Sequence, residues 1–319
     1  MNISVLGCGR WGTFLAWYCS SIGHDVLIWG RENSRSLLSL QSERKNTYLQ
    51  LQDSIILTTS LEDALNHGDY IIISISAQEL RGLVRVIADL GVVGKTFILC
   101  MKGIEDSSGK RLSQIMTEEL ETSNKIAIWV GPGHVQDFIS GIPNCMLIDS
   151  VEINTTREIA RNVSSDLIRF YYGEDLIENE IGAAAKNVMG IAAGMLDGFC
   201  YSSLKGALMA RGAREISRLV NAMGGKEITP YGLSHLGDYE ATLFSQYSHN
   251  RKFGEMLVKG DKFDKLAEGV STSKALVLLA RDYNVELPIC AAVNDIVNNG
   301  AHAKEVLLDL FLRPIKRQF

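Results

Sequence analysis

The 319-residue sequence predicts an α/β protein: a doubly wound parallel sheet followed by an all-helical second domain. Two patterns predict it. Through the first half, short apolar runs bounded by polar residues or glycine recur at 3–6, 25–29, 54–57, 70–75, 96–101, 126–130 and 145–148, with helix-like stretches such as 61–67 and 78–90 between several of them. Continuous apolar strands alternating with helices imply a parallel sheet covered on both faces. Beyond about residue 176 the strand signals fade. Stretches with helical periodicity follow at 181–196, 204–223, 253–259, 271–283 and 291–298, and Pro288 and Pro314 fall at expected helix boundaries. The expected division is therefore residues 1–176 and 177–319.

The first strand, Ile3-Ser4-Val5-Leu6, runs directly into Gly7-Cys8-Gly9-Arg10-Trp11-Gly12 and then into the helix-like Thr13-Phe14-Leu15-Ala16-Trp17-Tyr18. Strand, G-x-G-x-x-G spacing and helix together are the context of a dinucleotide-binding turn, the mark of a Rossmann-type sheet. Gly7 serves the tight turn, Gly9 lets a pyrophosphate approach the backbone, and Gly12 lets helix and strand pack closely. The amides of this turn, Arg10 and Trp11 included, then point at phosphate.

Composition bounds the rest. A hydrophobic content of 46% with 22% charged residues suits a globular protein of about two domains. The net charge of −5 and pI near 5.8 argue against a nucleic-acid surface. Six cysteines lie scattered without a C-x-x-C pair, which gives no metal site, and a strand beginning at residue 2 leaves no room for a secretory leader. A cytoplasmic protein with reduced thiols is expected. The apolar stretch 188–199 is too short to span a membrane and carries Asp197, so it reads as a buried helix.

One lysine stands out. Lys186 lies in the helical stretch Gly182-Ala183-Ala184-Ala185-Lys186-Asn187-Val188-Met189-Gly190-Ile191-Ala192-Ala193-Gly194, where Gly182, Ala183, Gly190 and Ala193 share its side of the helix. So little bulk around an ammonium admits another helix, a cofactor or a substrate. The bland reading is tight helix packing with a snorkelling lysine. Lys102, with Gly103, follows an apolar strand, and open sheets gather ligands at the carboxyl ends of their strands.

Taken in order, Gly7 to Gly12, Met101-Lys102-Gly103-Ile104, Gly131-Pro132, Ala185-Lys186-Asn187-Val188, Ala210-Arg211-Gly212, Gly232-Leu233 with Gly237-Asp238, Ser248 to Gly254 and Glu268-Gly269 resemble the NAD(P)-dependent glycerol-3-phosphate dehydrogenases of the bacterial soluble type. The resemblance covers almost the whole chain. It implies reduction of dihydroxyacetone phosphate to sn-glycerol 3-phosphate by NAD(P)H, with Lys102, Lys186 and Asp238 at the chemistry. It also implies Gly131, Ser248, His249, Asn250 and Arg251 at the substrate and Glu268 at the cofactor.

Ketone reduction needs a hydride donor and an acid that delivers a proton to the forming alkoxide. Lys186 is the expected acid, with Lys102 as a second cation that lowers its proton affinity while binding or polarising substrate, and Asp238 either orienting the ammonium or accepting a substrate hydroxyl. Ser248 is an expected helix cap as well as a ligand group. Arg251 is left between phosphate ligand and solvated charge. Two positions depart from the family: His249 replaces an arginine, and Gly133 replaces a hydroxyl residue. The segment Asn46-Thr47-Tyr48-Leu49-Gln50 is also altered. At the end of the second strand, Arg31 favours the extra phosphate of NADP(H) while Glu32 opposes it, so use of both cofactors is expected. Two alternatives stay open: a related dehydrogenase of another small hydroxy or keto acid, and a nucleotide sensor without turnover. A homodimer is the expected assembly.

Overall fold

A computed structural model describes residues 1–310 and 312; Pro314 lies outside the described residues. The chain forms two compact units. The first holds Met1–Lys102 and Arg111–Glu180, and the second holds Gly103–Lys110 and the chain from Ile181 onward. The sequence places a single boundary at 176/177. The units divide instead between Glu180 and Ile181, and the short segment 103–110 belongs with the helices.

The first unit alternates β1 (Asn2–Leu6), α1 (Arg10–Ser21), β2 (Asp25–Trp29), α2 (Arg35–Glu43), β3 (Ile56–Thr58), α3 (Leu61–His67), β4 (Tyr70–Ile73), α4 (Leu80–Asp89), β5 (Thr96–Leu99), α5 (Leu112–Glu119), β6 (Lys125–Val130), α6 (Val135–Ile139), β7 (Asn144–Ser150), α7 (Ile153–Val163) and β8 (Ile168–Tyr172). The strands lie in the order β3-β2-β1-β4-β5-β6-β7-β8. Most of their apolar side chains are buried, as a sheet covered on both faces requires, and the exposed ones, Ile56, Tyr171 and Tyr172, lie on the edge strands β3 and β8.

One expectation needs correction. The sheet is not wholly parallel, because β6 and β7 pair antiparallel through Val130↔Leu147 and Ile128↔Asp149. Their connection holds only the five-residue α6, whereas a parallel return needs a full crossover. The strand β8 is absent from the sequence reading. Arg169, an exposed edge position, interrupts its short apolar run, which leaves it without a strand signature.

The core of this unit is aromatic. Trp129, Tyr18, Phe14, Phe97 and Phe138 are all fully buried, and the Tyr18 hydroxyl donates to the Val163 carbonyl at 2.6 Å, tying α1 to the end of α7. Burial pushes the Tyr18 phenol up to about 12, so it remains a donor.

The helix α8 (Leu176–Gly198) starts at the end of the first unit and forms most of its length in the second, with α9 (Lys205–Ala222), α10 (His249–Lys259), α11 (Gly269–Asp282), α12 (Pro288–Asn299) and α13 (Ala303–Asp309). The side chains of α8 are buried from Glu178 to Leu196, and among the described residues no helix is long and apolar enough to cross a membrane. A Cβ at Gly194 would overlap the Arg251 carbonyl, and one at Gly254 would overlap that of Ile191. The small-residue stripe of α8 therefore receives the backbone of α10. Pro288 opens α12 at its first turn, where its missing N–H costs nothing, and the buried Glu215 carboxylate accepts from the Ile289 and Cys290 amides at 2.9 Å each. All six cysteines are free thiols.

Candidate active site

The glycine turn comes first. Gly7 adopts φ +117°, and a side chain there would strike the Ser74 carbonyl; one at Gly12 would overlap Gly7 itself. Gly9 is different, for a Cβ added there meets nothing within 4 Å. It is also the N-cap of α1 and supplies no side-chain acceptor to the first-turn amides. Open space in front of uncapped amides at the positive end of a helix is a cradle for pyrophosphate. The residues present thus fit a dinucleotide.

Beside the turn, Arg10 donates to Gln136 Oε1 at 2.5 Å and lies 5.0 Å above the Tyr48 ring. Trp11 packs its ring against Phe14 and Phe138, so its contribution to the turn is its backbone amide. Arg31 is 80% exposed at the end of β2, 3.9 Å from Glu79, and with Glu32, Asn33, Ser34 and Arg35 it lines an open depression. Lys102 Nζ donates to the Gly131 carbonyl at 2.7 Å. Gly133 sits at φ +140°, and a Cβ there would overlap the Phe138 ring. The missing hydroxyl residue is therefore excluded by packing, since Phe138 fills the space that it would need.

In the second unit Lys186 is only 7% exposed. Its Nζ lies 2.7 Å from Asp238 Oδ2 and donates to Thr242 Oγ1 at 2.8 Å; that hydroxyl donates in turn to the Asp238 carbonyl at 2.7 Å. A buried charge is retained when it is paired and hydrogen-bonded, and Lys186 is both. Its neighbour is an anion, which favours the charged ammonium.

Thr242 escaped the sequence reading. It lies four residues after Asp238, in a single π-helical turn, Glu240–Phe244, a local distortion that recurs at functional sites. Its spacing of four residues from Asp238 is the one sequence signal that could have found it. His235 was also missed. It is fully buried, with Nδ1 2.8 Å from the Gly182 carbonyl and Nε2 2.6 Å from the Tyr239 hydroxyl. Burial lowers its pKa to about 4, so the ring is neutral.

The segment 248–251 is largely used by the fold. Ser248 caps α10, its Oγ accepting the Arg251 amide at 3.3 Å. Asn250 Oδ1 accepts the Gly269 amide at 2.9 Å, joining α10 to the start of α11. His249 makes an edge contact with Phe263, and Glu268 occupies the N-cap position of α11. Arg251 is not a solvated charge, for its side chain is only 15% exposed. Its guanidinium donates to Asp197 Oδ2 at 2.7 Å, Glu255 Oε2 at 3.1 Å and the Ser245 carbonyl, with Lys205 also on Asp197 at 2.6 Å. Burial pushes the Asp197 carboxyl up, but hydrogen bonds from Lys205, Ser202 and Arg251 outweigh it and hold it below the usual range. Arg251 is a clamp between helices.

A dinucleotide cradle on a Rossmann-type sheet, in one chain with a helical unit that buries a lysine–carboxylate pair, defines the class: a two-unit nicotinamide-dependent dehydrogenase. Residues 2–156 match the family model of the NAD-dependent glycerol-3-phosphate dehydrogenase N-terminus, and residues 175–308 match that of its C-terminus. Glycerol-3-phosphate dehydrogenase [NAD(P)+] of Chlorobium phaeobacteroides is 34% identical over all of this chain and 99% of its own. That of Fusobacterium nucleatum is 32% identical over 99% of this chain and 98% of its own. The crystal structure of glycerol-3-phosphate dehydrogenase from Coxiella burnetii superposes with a TM-score of 0.90 at 25% identity, covering 98% of each chain. The chain belongs to the NAD-dependent glycerol-3-phosphate dehydrogenase family.

Proposed function

We propose that the protein reduces dihydroxyacetone phosphate to sn-glycerol 3-phosphate with NAD(P)H, the first unit binding the dinucleotide and the helical unit carrying the proton donor and most of the substrate groups. The observation that carries this reading is the buried set Lys186, Asp238 and Thr242, an ammonium held in one direction by a carboxylate and a hydroxyl.

A bound reduced dinucleotide would supply hydride for the carbonyl carbon. Gly7, Gly9 and Gly12, with the Arg10 and Trp11 amides, would hold its pyrophosphate, and Glu268 is a further proposed cofactor residue. Lys186 Nζ gives a proton to the oxygen on C2 as negative charge develops there, and takes it back in the reverse direction. Asp238 keeps that ammonium charged and aimed, and Thr242 fixes a second direction. The Lys102 ammonium and Gly131 bind substrate beside the cofactor. Asn250, whose Oδ1 is already taken, offers its amino group to the phosphate, with Ser248 and His249 beside it. Arg31 and Arg35 at the end of β2 support acceptance of the NADP(H) phosphate, so both cofactors serve and NADP(H) at least as well. The free thiols fit a cytoplasmic protein, and a homodimer is its proposed assembly.

Assays with dihydroxyacetone phosphate and either reduced cofactor test the reading. Wild type turns over, and Lys186→Ala loses about a thousandfold in kcat while retaining dinucleotide affinity. A variant keeping most activity would remove Lys186 from its role. One observation favours a second reading: Arg251 is ion-paired to Asp197 and Glu255, and His249 stands where the family has an arginine. Faster turnover of an unphosphorylated keto acid in a substrate panel would select it, and tight NADPH binding without any turnover would select the sensor.

A further inference from the structure

The strongest unassigned feature is His235, three residues before Asp238. Its carbonyl accepts the Asp238 amide at 3.1 Å, so it starts the 3-10 turn Leu236–Asp238 that carries the carboxylate. Its ring reaches Gly182, four residues before Lys186 and on the same side of α8. The turn and the helix are therefore joined twice, by His235 to Gly182 and by Asp238 to Lys186, one turn apart along each element. Two contacts at such spacing fix both the distance and the rotation of the turn against α8, which a single ion pair does not.

The proton arrangement follows from the partners. A carbonyl only accepts, so Nδ1 carries the hydrogen and donates to Gly182; Nε2 is then an acceptor, and the Tyr239 hydroxyl donates to it. Tyr239 is fully buried, its ring edge-on to the imidazole at 4.8 Å, and burial pushes its phenol well up, so the donor persists. The charged groups facing this ring are Lys186 on α8 and Asp238 on its own turn. With Nδ1 protonated and Nε2 accepting, the ring that fits is the neutral one.

We propose that His235 is a positioning residue, which holds the Asp238 carboxylate on the Lys186 ammonium and thereby sets the charge state and aim of the proton donor. This rests on the function proposed above. Loss of the brace lets Asp238 move off Lys186, and an ammonium deprived of its anion gives up its proton at lower pH.

The test uses full-length protein and two readouts. The first is the pH dependence of Lys186 acetylation by trace acetic anhydride in competition with a free amine, which requires no turnover. The second is kcat and KM for dihydroxyacetone phosphate across pH. His235→Leu should lower the labelling midpoint of Lys186 by about half a pH unit or more. It should also move the alkaline limb of kcat in the same direction and cut kcat about tenfold, with KM for the dinucleotide unchanged. His235→Asn, which keeps a donor at the Nδ1 position, should restore most of each effect. Tyr239→Phe, the milder change, carries the test if the leucine variant does not fold, and should shift the midpoint by a smaller amount in the same direction. A labelling midpoint and kcat limb identical to wild type in the folded variants would overturn the inference. So would equal losses in His235→Leu and His235→Asn with no movement of either limb. A shifted midpoint in a protein whose wild type shows no turnover of this substrate upholds the brace and removes the proposed function instead.

Discussion

Two glycine clusters in this protein look alike on paper and do opposite things. At Gly9 an added Cβ would meet open space in front of the uncapped amides of α1; at Gly194 it would strike the backbone of α10. The first absence of a side chain keeps a surface clear for a ligand. The second lets two helices of the same chain touch. A glycine is informative about function only through what stands opposite it, and that is a property of the neighbour.

The difference is open to direct attack. Gly194→Ala should cost about 3 kcal/mol, because α8 and α10 must separate to admit one methyl group, and a chemical-denaturation curve reads the loss. An unchanged midpoint would mean the helices are not in contact there. Close behind comes acid. Burial holds the His235 ring neutral at a pKa of about 4, against an ordinary value near 6.5. Its contribution is complete above about pH 6.5 and is lost as pH falls toward about 4, worth about 3 kcal/mol in all. His235→Asn should flatten that part of the stability–pH curve, and equal slopes in the two proteins would contradict it. Gly9→Ala should leave stability within about 0.5 kcal/mol of wild type, since its φ of −71° suits alanine, yet weaken dinucleotide binding about tenfold as the methyl group meets pyrophosphate. Calorimetric titration with NADPH checks it, and equal affinity would place the phosphate elsewhere. The smallest effect is at Arg31, an exposed side chain. Arg31→Ala should lower the NADPH-to-NADH preference in kcat/KM about threefold, because exposed charge pairs are weak.

The sheet and the glycine turn were legible because their signals are local. A buried strand is a run of adjacent apolar residues, and the cradle is six consecutive positions. What escaped the sequence was set by distant chain. The antiparallel return of β7 depends on how little helix fits between Val130 and Asn144, and β8 is a strand because β7 lies beside it, despite Arg169. In the candidate site Lys186 and Asp238 were legible, one for its unusual helix and both for the family motifs around them. Thr242 and His235 were not, since a threonine and a histidine acquire a role only from what they touch. Arg251 shows the same limit, a cation whose partners, Asp197 and Glu255, are contributed by the fold.

By itself the sequence determined the class of fold, the dinucleotide turn, the helical second half and the lysine around which the chemistry is proposed, because periodicity and motif spacing act over a few residues. Only the tertiary structure decided that the ammonium of Lys186 is buried and held by the Thr242 hydroxyl as well as the Asp238 carboxylate. It also decided that the glycine stripe seats a helix, that Phe138 closes the space at Gly133, and that a neutral histidine braces the turn bearing Asp238. Each of these is a contact between residues far apart in the chain, and such contacts exist only once burial has brought them together.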